Sequence, residues 1–104
     1  MASVRWTVGA REDLQGIVTF IGRHSEIYSA ALATRIVLAV DRLEAYPMLG
    51  RMVPEYNQEN LREIIVGNYR VVYKFDGPDI GIVAVSHGSR NLVRRLGAEP
   101  WDFQ

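Results

Sequence analysis

With 104 residues, 48% of them hydrophobic, the chain has the size and apolar content of one domain with its own core. Twelve basic residues balance twelve acidic ones, which excludes nucleic-acid binding by a general basic excess and leaves only local patches for that role. Cysteine is absent and His24 and His87 stand far apart, so disulfides and thiolate zinc sites are excluded, and neither a metal nor another cofactor is expected.

No apolar run approaches the roughly 18 residues of a membrane span, and "MASVRWTVGARED" holds no signal-peptide core. The expectation is a soluble, cytoplasmic protein with no membrane partner. Lys74 is the only lysine, so the positive charge is almost entirely guanidinium, suited to bidentate contacts with carboxylate or phosphate.

In chain order, "SVRWTV" alternates Val4, Trp6 and Val8 against Arg5 and Thr7, a short half-buried strand. Thr7 is placed to cap the helix that follows, in which Ala10, Leu14, Ile17, Val18 and Ile21 recur at helical spacing up to Gly22. Ser25 is a second N-cap. The next helix is expected over about 26–46, stopped by Pro47. Once Leu32, Ile36, Val40 and Leu43 face the core, Ala33, Val37 and Leu38 are left over, an apolar surface broad enough to take a partner. The short connection makes the two helices an antiparallel hairpin.

"PMLGRMVPEYNQEN" is a long loop, of the kind that is often functional or ordered by a partner. In it Gly50 makes a turn, and Arg51 is expected to cap the carbonyls ending the second helix. Three strands follow: "LREIIV", "YRVVYKF" and "IGIVAVSH". Gly67-Asn68 is a two-residue hairpin turn that sets Val66 opposite Tyr69, Ile65 opposite Arg70 and Glu63 opposite Val72. One face then carries Ile64, Val66, Tyr69, Val71, Tyr73 and Phe75, and the other Glu63, Ile65, Arg70, Val72 and Lys74. Glu63 lies diagonal to Arg70, within reach of an ion pair on a solvated face. "GSRNLVRRLGAEPWDFQ" opens with one or two helical turns and becomes irregular from about residue 97, with Trp101 and Phe103 near its end.

The order β-α-α-β-β-β describes an α+β fold. A helical hairpin packs on one face of a mostly antiparallel four-stranded sheet, and the opposite face is expected to be free as a working surface.

Trp6 before a capped helix with "EDL", then "YPMLGRMVPE", "LREIIVGNYRVVYKF" and "IVAVSHGSR", together resemble the RelE/ParE superfamily of bacterial toxins, over residues 4 to about 95. The resemblance implies the fold just derived. It also implies a type II toxin–antitoxin pair, with a cognate antitoxin that neutralises the toxin, and operator DNA contacted only indirectly, through that antitoxin. Two modes of growth arrest occur in the superfamily. RelE-like members cut messenger RNA on the ribosome without a metal. ParE-like members, associated with plasmid stabilisation, inhibit DNA gyrase. A third reading, a non-toxic interaction module of the same fold, stays open.

For a nuclease, Arg70 matches the third-strand arginine of RelE-like members, Arg90 lies near a second one, His87 is a general acid or base, and Glu63 is a base. Against that, the loop before the second strand offers Arg51 where such nucleases carry lysines, no tyrosine follows Tyr73, and the chain has no basic excess. His87 in "VSHGSR" also fits the ParE-like pattern, where it bonds backbone at the strand end. The ParE-like reading is therefore preferred, with Ala33, Val37 and Leu38 meeting the antitoxin and Arg90, Arg94 and Arg95 meeting the target.

Overall fold

The computed structural model describes residues 3–96. Strand β1 (Ser3–Trp6) leads into helices α1 (Val8–Gly22) and α2 (Glu26–Asp41), the latter continued by a 3-10 turn at Arg42–Glu44. Then come β2 (Arg51–Met52), β3 (Leu61–Val66), β4 (Tyr69–Asp76), β5 (Asp79–His87) and α3 (Leu92–Leu96). The sheet order is β1-β5-β4-β3-β2, with β1 parallel to β5 and the other pairs antiparallel. The α+β hairpin-on-sheet architecture stands, with five strands in place of four. The addition is β2, a two-residue strand that the long loop lays against β3. Helix α2 stops at Asp41, several residues ahead of Pro47, because the chain tightens into the 3-10 turn, which carries Leu43 into the core.

Side-chain caps open both long helices. Thr7 Oγ1 accepts the Ala10 N–H at 3.1 Å, and Ser25 Oγ accepts the Tyr28 N–H at 3.1 Å. The hairpin is locked by the Ser29 hydroxyl, which donates to the Val18 carbonyl at 2.7 Å. The β3–β4 register follows from the Gly67-Asn68 turn, with Gly67 at φ +58°.

Two cores result. Ala10, Leu32, Ile36, Val40 and Leu43 pack on the first sheet face against Val66, Val71, Tyr73, Ile80, Ile82 and Val85. The second face is not free, as the sequence suggested. Val53, Leu61, Val72, Val83, Ala84 and Leu92 bury one another there, flanked by Tyr56 and Leu96. The turn around Val53–Tyr56 and helix α3 form its cover. Strand β5, near the middle of the sheet, is thus buried on both sides, which is why its sequence is a continuous apolar run. Its register against β4 shifts between Val72 and Tyr73, passing Val83, so Val83 and Ala84 fall into the second core while Ile82 and Val85 stay in the first.

Where β1 ends, the outer edge of β5 is taken over by α1. The Thr7 N–H donates to the Ile82 carbonyl at 2.9 Å, and Asp13 Oδ2 accepts the Val85 N–H at 3.0 Å. Asp13 of the "EDL" motif thus satisfies a backbone donor that no strand reaches.

Candidate functional site

Among the described residues, Arg70 is the centre of the most heavily bonded polar group, and it is only 6% exposed. Its position follows from the hairpin: Ile65 lies opposite it, and Glu63, two residues earlier on β3, is its diagonal neighbour on the same face. Glu63 Oε1 accepts from Arg70 Nε at 2.6 Å and lies 2.6 Å from Nη2. Glu55 reaches in from the covering turn and takes the other side of the guanidinium, Oε2 from Nη1 at 2.6 Å and Oε1 from Nη2 at 2.7 Å.

Glu63 is 1% exposed, and its second oxygen is used as well: Oε2 accepts from Arg51 Nε at 2.7 Å. Arg51 stands opposite Glu63 across β2–β3, and its side chain is 63% exposed. Its partner is therefore Glu63 rather than the end of α2, since the short strand β2 carries it away from the helix. The expected ion pair between Arg70 and Glu63 is present. It lies in a covered layer rather than on a solvated face, because Glu55, Leu92 and their neighbours close over it.

Two guanidiniums and two carboxylates alternate, so the cluster is neutral and each charge is paired. The hydrogen bonds from Arg70 hold the Glu55 carboxyl below its ordinary value, with partial burial opposing them and a bond from the Leu92 backbone N–H adding to them. Arg70 in turn is pushed above its already high value, by Glu55 first and also by Glu63, against the effect of burial.

Gly50 anchors the neighbouring loop. Its N–H donates to the Tyr73 hydroxyl at 2.8 Å, and that hydroxyl donates to the Pro47 carbonyl at 2.8 Å. A Cβ at Gly50 would come within 2.5 Å of the Glu63 carbonyl oxygen and 2.8 Å of the Tyr73 ring, so the glycine serves a close backbone approach. Burial raises the Tyr73 phenol above its ordinary value and keeps it a donor and acceptor at once.

His87 is not part of this group. Its ring meets the Tyr69 ring edge to face, with centroids 5.5 Å apart, and Tyr69 belongs to the helix-side face of the sheet. Arg70, the next residue, points to the other face. His87 Nδ1 accepts the Ser89 backbone N–H at 3.2 Å and lies 2.7 Å from Ser89 Oγ, so the neutral ring carries its proton on Nε2. This is the strand-end backbone bond expected of it. Arg90 is exposed, and its N–H donates to the His87 carbonyl at 2.9 Å. The structure therefore brings Arg70 and Glu63 together and places His87 on the other face of the sheet. Arg94 and Arg95 fall in α3, but their side chains lie outside the described residues, as do Trp101 and Phe103.

Ala33, Val37 and Leu38 sit on the outer side of α2, with Val37 43% and Leu38 58% exposed. They do not share one groove. Ala33 and Val37 join Trp6, Arg11 and Leu14 around a groove of about 490 Å³ beside α1. Leu38 faces a second groove of about 310 Å³, between α2 and β3.

Glu55 and Asp13 are the residues that sequence reasoning missed. A signal for Glu55 was present: a guanidinium in the middle of a strand has five donors, more than one glutamate satisfies, and a second carboxylate has to come from elsewhere.

A sequence model described as the ParE toxin of the type II toxin–antitoxin system parDE matches residues 4–92. The chain is 36% identical over 92 residues to Toxin RelE2 of Caulobacter vibrioides, covering 86% of this chain and 99% of that protein. It is 33% identical over 69 residues to Toxin ParE3 of the same organism, covering 66% and 68%. In fold it is similar to the chromosomal ParDE system of P. aeruginosa, with a TM-score of 0.68 and 20% identity over 84% of this chain and 96% of that one. The RelBE2 toxin–antitoxin complex of Mycobacterium tuberculosis aligns with a TM-score of 0.56 and 23% identity over 83% and 96%.

Proposed function

The chain belongs to the ParE toxin family of type II toxin–antitoxin systems, and on that premise we propose that it arrests growth by binding a protein target, DNA gyrase, rather than by cutting RNA. The observation that carries this reading is the saturation of Arg70. Cleaving RNA without a metal needs a cation free to meet the charge that builds on phosphorus, with an acid and a base beside it. Arg70 spends its guanidinium on Glu55 and Glu63, and Glu63 spends both oxygens on Arg70 and Arg51. His87 sits on the opposite face and is engaged with Ser89.

In this reading the protein works in the bacterial cytoplasm as a non-enzymatic inhibitor. A cognate antitoxin neutralises it across the exposed surface of α2, at Ala33, Val37 and Leu38. Arg90, with Arg94 and Arg95, contacts the target. Operator DNA is reached only through the antitoxin. Inducing the protein without its antitoxin tests the proposal: gyrase inhibition leaves early translation intact while cells filament, whereas prompt loss of translation with messages cut on the ribosome would assign the nuclease activity instead.

A further inference from the structure

The segment 46–52, which joins the 3-10 turn after α2 to strand β2, holds large apolar side chains in solvent. Tyr46 is 64% exposed, Met48 59%, Leu49 43% and Met52 38%. Apolar residues exposed singly are ordinary, but four within one short connection form a local cluster. The segment is not slack. The Leu49 N–H donates to the Tyr46 carbonyl at 3.0 Å and closes a turn, from which Tyr46, Met48 and Leu49 all project. The buried Tyr73 hydroxyl ties that turn to the sheet at the Pro47 carbonyl and at the Gly50 N–H. Arg62 Nη1 donates to the Gly50 carbonyl at 3.1 Å, and Arg51 Nε is held by Glu63. Backbone groups and the Tyr73 hydroxyl thus fix the turn, and its own apolar side chains are left facing water. Side chains held out on a fixed backbone lose little further freedom on binding. Tyrosine, methionine and arginine are also the residue types that interface centres favour.

Charge and position say what meets this turn. Arg51, its side chain 63% exposed, is the only charged residue in the segment 46–52. Arg62 stands opposite Met52 across β2–β3, and its guanidinium donates to two neutral carbonyls, those of Gly50 and Glu59. The apolar turn is therefore flanked by positive charge on a chain whose formal net charge is zero. None of Tyr46, Met48, Leu49 and Met52 lines either groove beside α2. The segment runs instead into the turn over the second sheet face, where the Leu92 backbone N–H bonds Glu55, two residues beyond Arg90. It thus adjoins the surface proposed above to contact the target.

We infer that the turn 46–49 anchors the toxin on its target protein: Tyr46, Met48 and Leu49 enter an apolar pocket of that protein, and the rim of the pocket is acidic and faces Arg51 and Arg62. The buried apolar side chains give the affinity, and the charges at the rim steer the approach and fix the orientation. The inference rests on the target-binding reading and adds to it the surface and the chemistry of the contact.

The test takes purified full-length toxin, freed of antitoxin, and reads three quantities for each variant: inhibition of gyrase-catalysed supercoiling, antitoxin affinity and melting temperature. Tyr46→Ala with Leu49→Ala truncates two exposed side chains, so the melting temperature and the antitoxin affinity should hold while inhibition weakens at least about tenfold. Met48→Glu and Met48→Lys, at a position 59% exposed, read the same surface should the double variant fail to fold. Both should weaken inhibition, the glutamate at least about threefold more, because it alone sets like charges together at the rim. Folded variants that inhibit as well as the unaltered chain would overturn the anchor and leave the gyrase reading standing. Equal losses from glutamate and lysine would overturn the acidic rim. Antitoxin affinity lost in step with inhibition would assign the turn to the antitoxin and overturn the inference. An unaltered toxin without effect on supercoiling would overturn the gyrase reading, and the inference with it.

Discussion

Glu55 holds Arg70 through two parallel hydrogen bonds of 2.6 and 2.7 Å, and so ties the turn covering the second sheet face to the strand beneath it. The pair bridges 15 residues of sequence. With Glu63 behind it, Arg70 is a structural keystone of the covered layer, and that role can be separated by experiment from a catalytic one.

Arg70→Ala should destabilise the fold by about 3–5 kcal/mol, the usual cost of removing one partner from a buried ion cluster. Glu63, 1% exposed, would keep only the partly exposed Arg51. Urea denaturation measures the loss, and a double-mutant cycle with Glu63→Ala should show coupling of about 0.5–3 kcal/mol. Additive losses would place Arg70 outside the pair.

The Glu55 carboxyl is held below its ordinary value when folded, so the stability it contributes is fully present above its unfolded pKa of about 4.3 and is lost as pH falls through the depressed folded value. Glu55→Gln should flatten that part of the acid limb of a stability–pH curve. A limb of unchanged steepness in the variant would show that another carboxylate governs it.

Tyr73→Phe removes the hydroxyl that accepts from Gly50 and donates to Pro47, leaving a buried N–H without its partner. The expected cost is about 1–3 kcal/mol in thermal or chemical unfolding. The loop from Pro47 to Gly50 should also gain amide exchange.

Leu92 is fully buried in the second core. Leu92→Ala should cost about 2–5 kcal/mol. A truncation at residue 90 would remove Leu92 too, so lost toxicity in that variant would report unfolding of the cover as much as loss of a target contact. Circular dichroism of the truncated chain distinguishes the two.

Val37→Asp probes the proposed antitoxin surface on α2. Val37 is 43% exposed, so the toxin should keep its fold and its melting temperature while the complex weakens. A folded variant with unchanged affinity would remove Val37 from the interface.

Local signals in the sequence carried much of this fold. Thr7 and Ser25 cap helices because a short hydroxyl before an apolar periodic run has few other uses there. Gly67-Asn68 fixed the β3–β4 register and with it the diagonal of Glu63 and Arg70. What escaped was non-local. Nothing adjacent in sequence links Glu55 to Arg70 or Asp13 to the Val85 amide, and the apolar run of β5 has the same letters whether one face is covered or two. The cover over the second face, not read in advance, changes Arg70 from a surface residue into a buried one.

The central proposal is that this toxin inhibits gyrase and does not cut RNA. The most direct measurement sets the purified toxin, freed of antitoxin, against gyrase-catalysed supercoiling and against ribosomes carrying messenger RNA. The account predicts that supercoiling falls with toxin concentration and that the message stays whole. Cleaved message with unaffected supercoiling would contradict it.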